Sequence, residues 1–302
     1  MPKIKEGLES EALRLAEEYC IEEFTDYTIY SYLASHEKSE TLKKILEKLA
    51  GEEYNHYMFW RRILGRDCRV ETGRTKLRLI LLSRKIFGLT FTLKFLERHE
   101  EEVIESYKEY LKYLDDESLR KELESIIRDE EEHESSLIGS IEETVVRYLS
   151  FIVLGLADAI VEITGVHAGF LGVTNRTIMA GIAGLIVGLS AAISMASAAY
   201  IQAKSDPTRE PLKSALMTGL GYIGAVVMLA APYFIAAHML TAFVASVLLG
   251  ILLIGVFTFY SAIVFDRPFL REFIESSTLM LGTALASYVF GDIIGTHFGV
   301  RT

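Results

Sequence analysis

Proline and cysteine are scarce: the 302 residues hold five prolines and two cysteines. No proline falls between Lys3 and Arg147, so nothing in that stretch removes a backbone donor or forces a helix to end. Cys20 and Cys68 form no Cys-x-x-Cys pair, and their placement supports neither a thiolate metal site nor a disulfide framework. A basic excess is missing as well. The net charge of -10 disfavours nucleic acid and favours cations as partners. The N-terminus, MPKIKEGLESEALRLAEEYC, is charged throughout and lacks the apolar run of a cleavable signal peptide, so the first part of the chain is expected to stay in the cytoplasm.

Charge itself is nearly absent from the second half. Up to residue 147 there are 24 Lys+Arg and 33 Asp+Glu, whereas residues 148–302 hold 7 and 8, together with 16 of the 22 glycines. Two domains follow, 1–147 soluble and 148–302 membrane-embedded. Five apolar stretches in the second, 149–171, 178–202, 214–236, 239–265 and 271–296, are each long enough to cross a hydrocarbon core of ~30 Å. Gly165-x3-Gly169 and Gly184-x3-Gly188 have the spacing of closely packed membrane helices, and Pro232 is the one proline inside a span. Lys204, Arg209 and Lys213 lie between spans two and three, and Arg267 and Arg271 between four and five. The opposite side has Arg176, His238 and Arg301. The positive-inside rule then places the N-terminal domain in the cytoplasm and the C-terminus outside.

A carboxylate at bilayer depth costs at least ~2.5 kcal/mol unless it is paired, protonated or bound to a cation. Asp158 and Glu162 stand four apart in the first span (LGLADAIVEITG), hence on one helical face, and mark a candidate ion pathway. Glu162 also reads as a group that hydrogen-bonds a neighbouring helix. Met195 of span two (SAAISMASAAY) is either a soft ligand or packing. Asp292 and Glu275 of span five are weaker candidates, with interfacial or capping roles open to both.

The first domain is helical in period throughout, which predicts helices over 6–36, 39–64, 87–114 and 117–146, with short links except for some twenty residues between the second and third. Two helical hairpins joined by one long connection form the ferritin-like bundle topology, and the fold class is all-α. Glu53-x-x-His56 and Glu130-x-x-His133 each project from one helical face, and Glu23, Glu97 and Glu100 are available on the other two helices. Together these seven residues are what a two-metal carboxylate site requires. Carboxylates with one imidazole per metal suit Fe(II) or Mn(II). His99 reads as surface and His36 as a helix C-terminal charge. Tyr27, Tyr30, Tyr32 and Tyr107 either pack or bring a hydroxyl towards the metals. The connection GRTKLRLILLSRKIFG is basic and apolar, and either lies on an anionic membrane surface or packs as a plain crossover.

CIEEFTDYTIYSYLAS, with Glu23 at the ligand position, and the two Glu-x-x-His motifs resemble rubrerythrins, with Glu97 and Glu100 fitting the third-helix pair; the cysteine-rich rubredoxin module of many rubrerythrins is missing. VLGLADAIVEITG and GLSAAISMASAAYIQAKS resemble the vacuolar iron transporter family, with Asp158 and Met195 at its ion-path aspartate and methionine. The loop KSDPTREP is short where plant members carry an acidic insertion. The whole resembles membrane-bound ferritins, or erythrin-vacuolar iron transporters. That resemblance implies a homodimer with a pathway lined by facing first and second spans. The expected function is export of Fe(II), or Mn(II), from the cytoplasm in exchange for protons, with a di-iron cofactor in the bundle, and the compact loops point to a plasma membrane. The rival expectation is a di-iron ferroxidase or peroxide-consuming enzyme that the membrane half only anchors.

Overall fold

The computed structural model describes residues 4, 7–68, 72–96, 98, 100–140, 144–207 and 209–299, with the side chains of 100, 101, 132–140 and 144–147 outside that description. The chain divides into two compact units, Met1–Glu143 and Thr144–Thr302. Among the described residues there is no strand, only a single bridge between Ile4 and Leu114.

The first unit opens with α1 (Glu9–His36) and α2 (Glu40–Leu64). The chain leaves α1 where Glu37 turns extended, at φ -81° and ψ 137°. It re-enters a helix at Ser39, whose hydroxyl accepts the Leu42 amide. Gly65, at φ 67°, closes α2 by donating its amide to the Arg61 carbonyl, the left-handed cap that glycine adopts without strain. The long connection is not irregular. It contains α3 (Arg74–Phe87), separated from α4 (Leu89–Leu96) by Gly88 at φ 91°.

The third helix, expected as one piece over 87–114, is instead α4, α5 (Glu100–Tyr110) and a 3-10 turn at Leu111–Tyr113. Leu114 then turns extended and Asp116 accepts the Ser118 amide, which starts α6, described over Glu117–Ser140; residues 141–143 of the expected 117–146 lie outside the described residues. Two apolar clusters form the core. One gathers Tyr19, Tyr57, Trp60, Tyr107 and Tyr110; the other gathers Ile29, Leu33, Leu46, Ile80, Leu89 and Leu93. On α1 and α2 the segments around residues 23 and 53–56 fall between the stretches that feed these clusters. Each buried large side chain contributes on the order of 1.5–3 kcal/mol, and that layering is what forces carboxylates between them inward.

The reading that the cysteines support no disulfide is corrected. Cys20 and Cys68 are bonded, with Cα atoms 6.1 Å apart and a sequence separation of 48. The pairing is invisible to local spacing because it depends on the loop after α2 folding back onto α1.

The second unit has α7 (Thr144–Val173), α8 (Thr177–Lys204), α9 (Pro211–Ala230), the short α10 (Pro232–Ile235), α11 (Met239–Phe265) and α12 (Phe269–His297). Five segments are long and apolar enough to cross a membrane, α9 and α10 together making the third: Tyr148–Val173, Thr177–Lys204, Pro211–Ile235, Met239–Phe265 and Phe269–His297. Helix α7 packs against α8, α9, α11 and α12. Its crossing with α12 needs glycine, since a Cβ on Gly291 would stand 2.2 Å from the Gly169 carbonyl oxygen. Ile186, Ile193, Leu220, Leu248 and Leu285 point outward, as lipid contact requires.

Candidate metal centre and membrane carboxylates

Three helices aim acids into one buried volume. Glu23 of α1, Glu53 and His56 of α2 and Glu130 of α6 are each at most 5% exposed, and one ligand atom from each lies within 4.8 Å of all the others. His56 is the hub. Its Nδ1 is 2.9 Å from Glu130, 3.5 Å from Glu23 and 3.5 Å from Glu53, and its Nε2 is 3.8 Å from Asp129. The i,i+3 spacing puts Glu53 and His56 on the same side of α2. The Tyr107 hydroxyl donates to Glu23.

The electrostatics follow from crowding like charges in a dry place. Burial, then the charge of Glu130, pushes the Glu53 carboxyl well above its ordinary value, against the pull of His56. Burial would lower His56, but Glu23, Glu130 and Glu53 outweigh it and hold the imidazolium well above the usual range. Burial and Glu23 likewise push the Tyr107 phenol well up. Asp26, one turn beyond Glu23, is raised well above a normal carboxylate by burial and then by Glu23 and Glu22, with Lys76 opposing. Three carboxylates around one imidazole carry more negative charge than His56 alone neutralises, so protons or a cation must complete the set. Hard oxygens with one nitrogen fit a divalent Fe or Mn ion.

Of the seven expected ligands, Glu23, Glu53, His56 and Glu130 come together. Glu97 lies outside the described residues, as do the side chains of Glu100 on α5 and His133 on α6. Reading the sequence missed Asp26 and Asp129. The first is signalled only by its i+3 position from Glu23, and the second by adjacency to Glu130. Tyr107 brings its hydroxyl to Glu23 of the cluster, where packing was an open alternative. His36 lies in the last turn of α1 with Nδ1 2.8 Å from the Tyr32 carbonyl oxygen, the helix C-terminal position expected of it.

In the second unit Asp158 lies on the outer surface of α7, beside Leu154, which is 46% exposed. Glu162 is half-buried and accepts a hydrogen bond from the Tyr222 hydroxyl of α9. Met195 is half-buried against the cluster of Ala159, Ile163, Ala192 and Tyr222. Glu275 is exposed and pairs with Arg271 at 2.9 Å, and Asp292 is half-buried on α12. One buried group escaped the sequence reading. His167 of α7 is 0% exposed, its ring 4.0 Å from that of Tyr233 on α10, and among the described residues neither of its nitrogens nor the nearby Thr164 hydroxyl has a hydrogen-bond partner. A lone histidine in a small-residue run gave no signal of this.

A family profile described as Rubrerythrin matches residues 15–139, so a rubrerythrin domain is present over α1 to α6. No curated protein and no solved structure matches the chain.

Proposed function

We propose that this chain exports Fe(II), or Mn(II), across a membrane, with the rubrerythrin domain on the cytoplasmic side capturing, buffering or sensing the ion and a membrane unit of the vacuolar iron transporter kind moving it. One observation carries the reading: two carboxylates, Asp158 and Glu162, stand in mid-span of an apolar five-helix unit on the chain that also holds the buried Glu23, Glu53, His56 and Glu130 cluster. An anchor needs one span and has no use for mid-span acids.

In the bundle, those four residues would hold one metal, and Glu97, Glu100 and His133 would complete a second position. A bound iron would supply a one-electron redox couple there. The chain's own residues do the rest: they exclude water, and Tyr107 holds the Glu23 carboxylate by its hydroxyl proton.

Asp158, on the outside of a single chain, would face hydrocarbon at a cost of at least ~2.5 kcal/mol, so a second copy covering α7 is the economical arrangement. Facing first and second spans then place Asp158, Glu162 and Met195 along one path. Proton coupling follows from competition, because protons and cations bind the same carboxylate oxygens.

The ferroxidase reading has Tyr107 in its favour, a hydroxyl touching a ligand of the metal centre. Fe(II) flux into proteoliposomes under a pH gradient separates the two. Proton-dependent flux that disappears in Asp158→Asn, with metal still bound by the bundle, is the expected result. No flux in the intact protein, with oxygen consumed on Fe(II) addition, would make the membrane unit an anchor.

A further inference from the structure

Helix α3 has two apolar faces where a crossover packed on a bundle needs one. Leu77, Ile80 and Leu81 turn inward onto the cluster of Ile29, Leu33 and Leu46. Arg84 fastens the same side by donating to Glu37, whose carboxyl is held below its ordinary value because the Ser39 and Lys38 amides and Arg84 outweigh the effect of burial. On the opposite side Leu79, Leu82 and Ile86 are 60%, 50% and 62% exposed. At i, i+3 and i+7 they form one stripe.

The borders of that stripe are cationic. With 100° per residue, Lys76 falls along one edge, and Arg78 and Lys85 along the other, all three exposed. No Asp or Glu occurs anywhere in Arg74–Phe87. This is a positive, apolar-centred strip on a domain that is otherwise strongly acidic, having 33 Asp+Glu against 24 Lys+Arg up to residue 147.

We propose that the outer face of α3 docks on the anionic surface of the bilayer in which the second unit sits. An apolar stripe sunk to the headgroup boundary with lysine and arginine at its rims is the design of an interfacial helix. Anionic headgroups repel the rest of the acidic domain and attract this strip, so the contact fixes one orientation of the bundle. The second unit would hold the same chain in that bilayer, so the strip meets the bilayer surface at high effective concentration and a weak contact suffices. A second copy of the bundle fits less well. Three side chains cover far less than the roughly 800 Å² per partner of a stable protein interface.

The test uses the full chain in vesicles with a nitroxide at Leu82→Cys and, as a control, at Lys121→Cys on α6. With phosphatidylserine present, the Leu82 label should be reached by oxygen and hidden from a water-soluble nickel chelate, while the Lys121 label stays open to the chelate. Phosphatidylcholine alone, or Lys76→Glu with Arg78→Glu and Lys85→Glu, should return the Leu82 label to water, the triple reversal shifting the docked-to-free ratio by at least about a hundredfold. Unchanged helicity and metal content in that variant exclude simple unfolding. The proposal fails if the Leu82 label is equally open in both lipids. It fails equally if the label is hidden in detergent as well as in lipid, which would assign the face to a second copy, or hidden regardless of lipid charge.

Discussion

The Tyr107 hydroxyl of α5 donates its hydrogen bond to Glu23 of α1, across 84 residues of sequence, at a point where both side chains are shut off from water. Taking away one of the two groups that face a buried carboxylate, here leaving only His56 at 3.5 Å among the described residues, costs about 1–3 kcal/mol. Tyr107→Phe is therefore expected to destabilise the metal-free protein by about that amount, and less once Mn(II) takes over Glu23 as its counter-ion. Thermal melts with and without Mn(II) read the difference. An equal loss in both states would mean that the hydroxyl does not serve Glu23.

Metal binding should release protons. Glu53 and His56 both hold their protons well above the ordinary values, the first through burial and Glu130, the second because the carboxylates outweigh burial. Both must be deprotonated to ligate, so affinity rises with pH through the neutral range and falls as acid returns the protons. Calorimetric titration with Mn(II) in buffers of different ionisation enthalpy counts the release. A heat independent of buffer would contradict it.

How much of this was legible depends on distance along the chain. The Glu53/His56 pair shows itself in sequence because i,i+3 spacing on a helix is a geometric fact, and the five spans show because lipid demands continuous apolar length. The Cys20–Cys68 bond, the Tyr107–Glu23 contact and the place of Asp129 beside His56 depend on which helix turns meet, and no local pattern carries that. The third helix was expected unbroken over 87–114 because its residues are good helix formers. Propensity does not register that Gly88, at φ 91°, separates α3 from α4.

The bond between Cys20 and Cys68 bears on both stability and sidedness. A loop of 48 residues loses enough freedom in the unfolded chain for about 4 kcal/mol of stabilisation in the chain-entropy treatment. Cys20→Ser should lower the melting temperature under non-reducing conditions and do little in excess dithiothreitol. The reducing cytoplasm keeps most thiols free. Since both cysteines are buried, cells are quenched and denatured directly in alkylating agent; non-reducing electrophoresis should then find the pair bonded in purified protein and alkylated in cells if the bundle faces the cytoplasm. A pair protected in cells would put the bundle on the oxidising side and reverse the proposed direction.

His167 and Gly184 make the sharpest packing test in the second unit. A Cβ on Gly184 would stand 2.3 Å from His167 Nε2, and the Tyr233 ring packs on the imidazole with centroids 4.0 Å apart, so the fully buried imidazole has little room to tilt away. Overpacking of this kind costs about 1–3 kcal/mol. Gly184→Ala should lower the melting temperature of the detergent-solubilised full chain by an amount that largely disappears in a His167→Ala background, because the methyl then fills space that the ring has left. The two substitutions are coupled through one contact, and their combined effect should fall short of the sum. If Gly184→Ala costs the same in both backgrounds, the close approach of α8 is governed by backbone contacts, and His167 has no part in setting the spacing of α7 and α8.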